Sequence, residues 1–138
     1  MNACIFCKII KKEIPADFIY EDEYISAFLD IHPTNIGHTL VVPKKHYENF
    51  ISTTDDIAQK IILTIKKIAP KILKAVYANA CNISTNNGKE SGQIVEHAHF
   101  HIIPRFSNDN FIHWQGKPQT ETEIKETAEK IRKVIKDN

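Results

Sequence analysis

Three histidines alternate with apolar residues in His97-Ala98-His99-Phe100-His101. On an extended strand alternate side chains share one face, so the three imidazoles are expected to point the same way, about 6.6–6.8 Å apart per two-residue step. Ala98, Phe100 and Ile102 then point toward a core. Packing has little use for three imidazoles in a row, and two chemistries do. An adjacent pair can chelate a metal ion. Alternatively, one imidazole attacks a phosphorus atom while its neighbours hold the anion, since neutral imidazole has a reference pKa of about 6.5 and stays nucleophilic near neutrality. The ends of the trio lie roughly 13 Å apart along a strand. That is too far for all three to reach one zinc ion, whose bonds to nitrogen are about 2.0–2.1 Å.

A second group lies at the start of the chain, where Cys4 and Cys7 form a Cys-x-x-Cys unit. That spacing is half of a zinc site or a redox pair; the redox reading expects a thioredoxin-like βαβ context, which the sequence does not show. The third cysteine, Cys81, lies in an apolar stretch and reads as a small buried residue. An odd count argues against a disulfide framework.

The elements that must position these groups follow from pattern and punctuation. Ile5 to Lys12 reads as a short helix ending before Ile14-Pro15, and Phe18 to Glu21 and Tyr24 to Leu29 as a hairpin turning at Asp22-Glu23. His32 to Gly37 is turn chemistry, and Thr39 to Val42 is a strand stopped by Pro43. Asp55 to Val76 carries Ile57, Ile61, Ile65, Ile68, Ile72 and Val76 at helical spacing, with Pro70 expected to kink or divide it. Asn82 to Thr85 and Ile94 to Pro104 read as strands, and Thr122 to Lys136 as an amphipathic helix marked by Ile124, Ala128, Ile131 and Ile135. Strands joined by hairpins or by one long helix, without βαβ rhythm, indicate an α+β fold with an antiparallel sheet. The 138 residues suit one domain, 42% are hydrophobic and 25% charged, and the formal net charge is +1. That balance gives no general pull toward nucleic acid or an anionic membrane. No apolar run reaches the roughly 18–20 residues of a membrane span, and no signal core follows Met1. The reading is a cytoplasmic protein whose anionic ligand is held by local groups.

Gly92-Gln93 followed by Ile94 to Pro104 resembles the signature of the histidine triad (HIT) family. The resemblance extends through Ile5 to Ile10, Glu13-Ile14-Pro15, Ala27 to Asp30 and Gly37 to His46, about the first three quarters of the chain. It is greatest to small nucleotide-binding proteins of the adenosine phosphoramidase branch, and it implies a HIT-like fold that pairs into a homodimer. It assigns His99 as the nucleophile, with its second ring nitrogen donating to the main-chain carbonyl of His97, and His101 as a contact to phosphate and leaving group. His38 is a supporting fourth histidine. Gln93, Asn86 and the backbone of Gly92 to Ile94 contact phosphate. Asp30 takes the ribose hydroxyls, or is a turn aspartate before His32-Pro33. Ile5, Phe6, Ile9, Ile14, Phe28 and Ile31 match walls of the base pocket, or core.

The implied reaction is hydrolysis at the α-phosphate of a purine nucleotide conjugate through a nucleotidyl-histidine intermediate. Its rivals are a binding module with little turnover, a nucleotidyl transferase, and a metallohydrolase. Ile94 departs from a serine common in the phosphoramidase branch, which leaves the preferred leaving group open. The resemblance to some bacterial members implies that His46 and His97 of this chain complete a structural zinc site with Cys4 and Cys7. The long helix, through Ile57, Ile61, Ile65 and Ile68, and the Cys81 to Thr85 strand are expected to form the twofold interface.

Overall fold

A computed structural model describes residues 3–137. Their elements are α1 (Ile5–Ile10), β1 (Phe18–Glu21), β2 (Ile25–Leu29), β3 (Thr39–Pro43), α2 (Asp55–Val76), β4 (Ala80–Ser84), a 3-10 turn (Lys89–Ser91), β5 (Phe100–Arg105) and α3 (Glu121–Lys136). The five strands form one antiparallel sheet in the order β1-β2-β3-β5-β4. This is the expected α+β architecture.

The central strands are apolar on both sides because both sheet faces are covered. One face packs on α2, where Ile57, Ile61, Ile65, Ile68 and Ile72 meet Ile25, Ala27, Val41, Phe100 and Ile102. On the other face Phe6 and Ile9 of α1 cover Phe28, Leu40 and Val42. The short α1 leaves the β5–β4 half of that face free of helix, and the histidines lie along this boundary.

Besides shifts of one or two residues at element ends, two features differ from the sequence reading. Helix α2 runs through Pro70 undivided, from a Thr54 cap to Tyr77, which has φ 60°. Pro70 lies on the exposed side, so the carbonyl it leaves without an N–H partner has access to water. The strand expected from Ile94 begins only at Phe100. In the register set by Val41 opposite Phe100, extending the ladder would place Ala98 opposite Pro43, which has no N–H to give. Instead the Ala98 N–H donates to the Tyr47 carbonyl at 2.7 Å. His97 and His99 therefore sit on irregular backbone, His97 in a bend, and only His101 lies within the ladder.

The interface expectation is also corrected in part. Ile57, Ile61, Ile65 and Ile68 are buried in their own chain's core, because the sheet requires that stripe for cover. What α2 leaves exposed is Ile62 and Leu63, and β4, an edge strand, exposes Ile83. Helix α3 opens on a reciprocal Thr120/Glu123 capping box and buries no residue. Among the described residues, no helix is long and apolar enough to cross a membrane.

Candidate active site and metal centre

Backbone carbonyls and one backbone amide determine which nitrogen of each imidazole carries its proton. His99 Nδ1 lies 2.6 Å from the His97 carbonyl, which can only accept, so Nδ1 bears the hydrogen and Nε2 is left as a free lone pair. The His99 carbonyl is itself held by the Thr85 hydroxyl at 2.7 Å. The Thr34 N–H donates to His38 Nδ1 at 3.0 Å, so the proton of neutral His38 sits on Nε2. That proton faces His101 Nδ1 at 2.9 Å. His101 therefore accepts at Nδ1 and carries its own hydrogen on Nε2. Burial holds His99 and His38 below the ordinary imidazole range. It takes His101 down to about 4, helped by His99 and His38. All three are neutral near pH 7, the state a nucleophile and two hydrogen-bonding partners require.

The remaining expected residues are distributed as follows. Asp30 Oδ1 accepts from the His32 N–H at 2.8 Å, as a turn aspartate does. Its Oδ2 is 3.6 Å from His38 Nε2, so one carboxylate edge still faces the histidines. The Gln93 side chain is engaged within its loop, accepting from Gly88 N–H at 2.8 Å and donating to the Glu48 and Val95 carbonyls at 2.8 and 2.9 Å. The N–H groups of Gly92 and Gln93 bond back to Lys89 and Gly88. The loop is thus a self-tied turn that needs Gly88 and Gly92 at φ 94° and 95°. Asn86 is half-buried beneath Gly92. Among the proposed base-pocket walls, Phe6, Ile9 and Phe28 are core residues, Ile14 is partly covered, and Ile5 and Ile31 are exposed. Ile94 is also exposed, on a cavity of roughly 690 Å³ shared with Ile5, Cys7 and His46. The Thr34 amide, the Thr85 hydroxyl and the Tyr47 carbonyl were not legible beforehand, since two are main-chain groups and the third is an ordinary strand-end threonine.

Cys4, Cys7, His46 and His97 converge, each offering one ligand atom, all within 4.8 Å of one another. Cys4 Sγ to His97 Nδ1 is 3.4 Å, Cys7 Sγ to His46 Nδ1 3.4 Å, Cys7 Sγ to His97 Nδ1 3.6 Å, and the two imidazole nitrogens are 3.1 Å apart. A tetrahedron with Zn–S near 2.3 Å and Zn–N near 2.05 Å has S···N edges of about 3.6 Å and an N···N edge of about 3.3 Å. The four residues fit a zinc ion. His97 Nε2 lies 2.8 Å from the Pro43 carbonyl and must donate to it, which aims the Nδ1 lone pair into the cluster. His97 is thus turned away from the row that strand alternation suggested. Its ring faces the cysteines while its carbonyl orients His99.

Comparison with known proteins identifies the family. The HIT domain profile matches residues 11–108. A HIT-like protein of Methanocaldococcus jannaschii is 56% identical over 109 residues, covering 79% of this chain and 84% of that protein. An adenosine 5'-monophosphoramidase of Schizosaccharomyces pombe is 39% identical over 137 residues, 97% of this chain and 99% of the relative. A crystal structure from Streptococcus mutans superposes with a TM-score of 0.92 at 43% identity, covering 98% of this chain and 87% of that one. With its histidines on one β-strand and the approach to it, and with relatives matching over nearly their whole length, the chain belongs to the histidine triad (HIT) family.

Proposed function

We propose that the chain is a nucleotide hydrolase that cleaves purine nucleotide conjugates, of the AMP phosphoramidate kind, at the α-phosphorus. The observation that carries this reading is the His99 ring, pinned through Nδ1 to the His97 carbonyl at 2.6 Å with Nε2 left free as a nucleophile. The phosphoramidase activity named for the S. pombe relative supports the substrate class. His99 Nε2 forms a bond to phosphorus while the bond from phosphorus to the leaving nitrogen breaks. The electron pair departs with that nitrogen, which takes a proton from solvent. The imidazolium so formed keeps its Nδ1–H on the His97 carbonyl. Water then attacks phosphorus, releases AMP and a proton, and returns His99 to its starting form. His101 offers its Nε2–H to the phosphoryl group, and Asp30 offers its free carboxylate edge to ribose hydroxyls.

Cys4, Cys7, His46 and His97 hold the proposed structural zinc, whose chemistry is to fix four side chains in a closed tetrahedron. A cytoplasmic, reducing setting suits both thiols. The test is incubation with adenosine 5'-phosphoramidate, followed by an alkaline quench and peptide mass analysis. AMP release together with a nucleotidyl group on the peptide containing His99 is the expected result. Binding of AMP without either product would leave a nucleotide-binding module instead.

The proposed partner is a second copy. β4 has one free edge, and Ile83 on it is 48% exposed. Edge-to-edge pairing about a twofold axis closes both open ladders at once. Light scattering is expected to give a dimer at micromolar concentration, and a monomer there refutes the pairing.

A further inference from the structure

The turn before β3 is built more firmly than a connection requires. Asn35 is half-buried, and its side-chain amide donates to the Pro104 carbonyl at 2.9 Å and to Asp109 Oδ2 at 3.1 Å. Asp109 is fixed in turn by Arg105, through Nε at 2.8 Å and Nη2 at 3.0 Å, and by the Phe106 and Phe111 N–H groups. The Asn35 carbonyl accepts from the His38 N–H at 3.1 Å. Gly37 has φ 85°, and a Cβ there would meet Pro104 and Val76 at 3.1 Å. These contacts clamp residues 34–38 against the end of β5. The consequence at the histidines is that the Thr34 N–H points at His38 Nδ1.

We propose that the Thr34 N–H and the Asn35 side chain are positioning groups for the reaction, selecting the tautomer of His38 and, through it, the tautomer of His101. The geometry leaves one consistent pattern. With the Thr34 N–H donating, His38 Nδ1 cannot carry a hydrogen, so His38 donates from Nε2 to His101 Nδ1. The proton of His101 is thereby placed on Nε2, the ring nitrogen that faces away from His38. If the Thr34 donor were lost, both rings could flip tautomer together. His38 would then accept at Nε2, and His101 would present a lone pair where it had presented an N–H. A phosphoryl anion is attracted by the second and repelled by the first. The part of this inference that concerns catalysis rests on the hydrolase reading above; the tautomer part does not.

Two variants test it. In one, Thr34 is replaced by its α-hydroxy acid, so that an ester stands where the donating N–H was; the other is Asn35→Ala. Nitrogen-15 NMR of the side-chain imidazoles reads the tautomers directly. In the unmodified protein both His38 and His101 are expected as Nε2–H forms. In the ester variant an Nδ1–H population is expected at both, and in Asn35→Ala a smaller one. Turnover of adenosine 5'-phosphoramidate should fall at least about tenfold in the ester variant, while affinity for adenosine, which lacks phosphate, stays within about threefold. An Nδ1–H form of His38 in the unmodified protein, or unchanged tautomers in the ester variant, overturns the proposal. Tautomers that shift without loss of turnover overturn its catalytic part. If the unmodified protein hydrolyses no nucleotide conjugate, the hydrolase reading falls and the NMR result still decides the tautomer claim.

Discussion

His99→Ala is expected to remove turnover, by on the order of 10³-fold or more, while nucleotide affinity stays within about tenfold, roughly 1.4 kcal/mol. The asymmetry follows from the geometry. Among the described residues, His99 Nε2 is the one triad nitrogen with neither a proton nor a partner, so its removal deletes the proposed attacking atom. Asp30 and His101, the groups proposed to hold ribose and phosphate, remain. Folding should tolerate the change at some cost. His99 is 7% exposed and packs edge-on against Phe6 with ring centroids 5.1 Å apart, so alanine leaves a small void and a modestly lower Tm. Steady-state release of AMP from a phosphoramidate, with calorimetric binding of AMP on the same sample, makes the measurement. Retention of more than a few per cent of activity by a folded variant would transfer the nucleophile's role elsewhere.

Protein purified without chelator should carry close to one zinc per chain, and Cys4→Ser should release it and lower Tm by on the order of 5–10 °C. The expected size comes from what the four ligands join. Cys4 caps α1 by accepting from the Cys7 N–H, and α1 has only six residues, too few to persist unaided. Yet it carries Phe6 and Ile9, the cover of one sheet face. The ion would tie this helix to His46 after β3 and to His97 before β5. Burial and the neighbouring Cys4 push the Cys7 thiol up to about 11, and the two Nδ1 atoms face each other at 3.1 Å. Because the His97 carbonyl is the acceptor for His99, zinc loss should also lower turnover in protein that remains folded. Less than about 0.3 zinc per chain by elemental analysis, with Tm unmoved by chelator, would rule the site out.

Much of this molecule is visible in its primary structure because strong local rules agree there. The isoleucine period of α2, the β2 and β3 apolar runs and the Ile124, Ala128, Ile131 and Ile135 spacing of α3 each specify one conformation, and each element forms within a residue or so of where its pattern places it. The candidate histidines are legible for the same reason: His97, His99 and His101 stand out by residue type and spacing. Other features depend on distant partners and leave no local mark. Pro70 is tolerated because it faces solvent, which depends on where the sheet lies. His97 leaves the triad row because the Pro43 carbonyl and two cysteines some 90 residues away claim both its nitrogens. The stripe on α2 reads equally as interface or core until the sheet is in place, and only its burial separates the two. The proton positions on His38, His99 and His101 are set by main-chain groups, an amide at Thr34 and a carbonyl at His97. Every residue type supplies such groups alike, so side-chain identity shows which histidines could react, and chain geometry shows which nitrogen of each is free to do so.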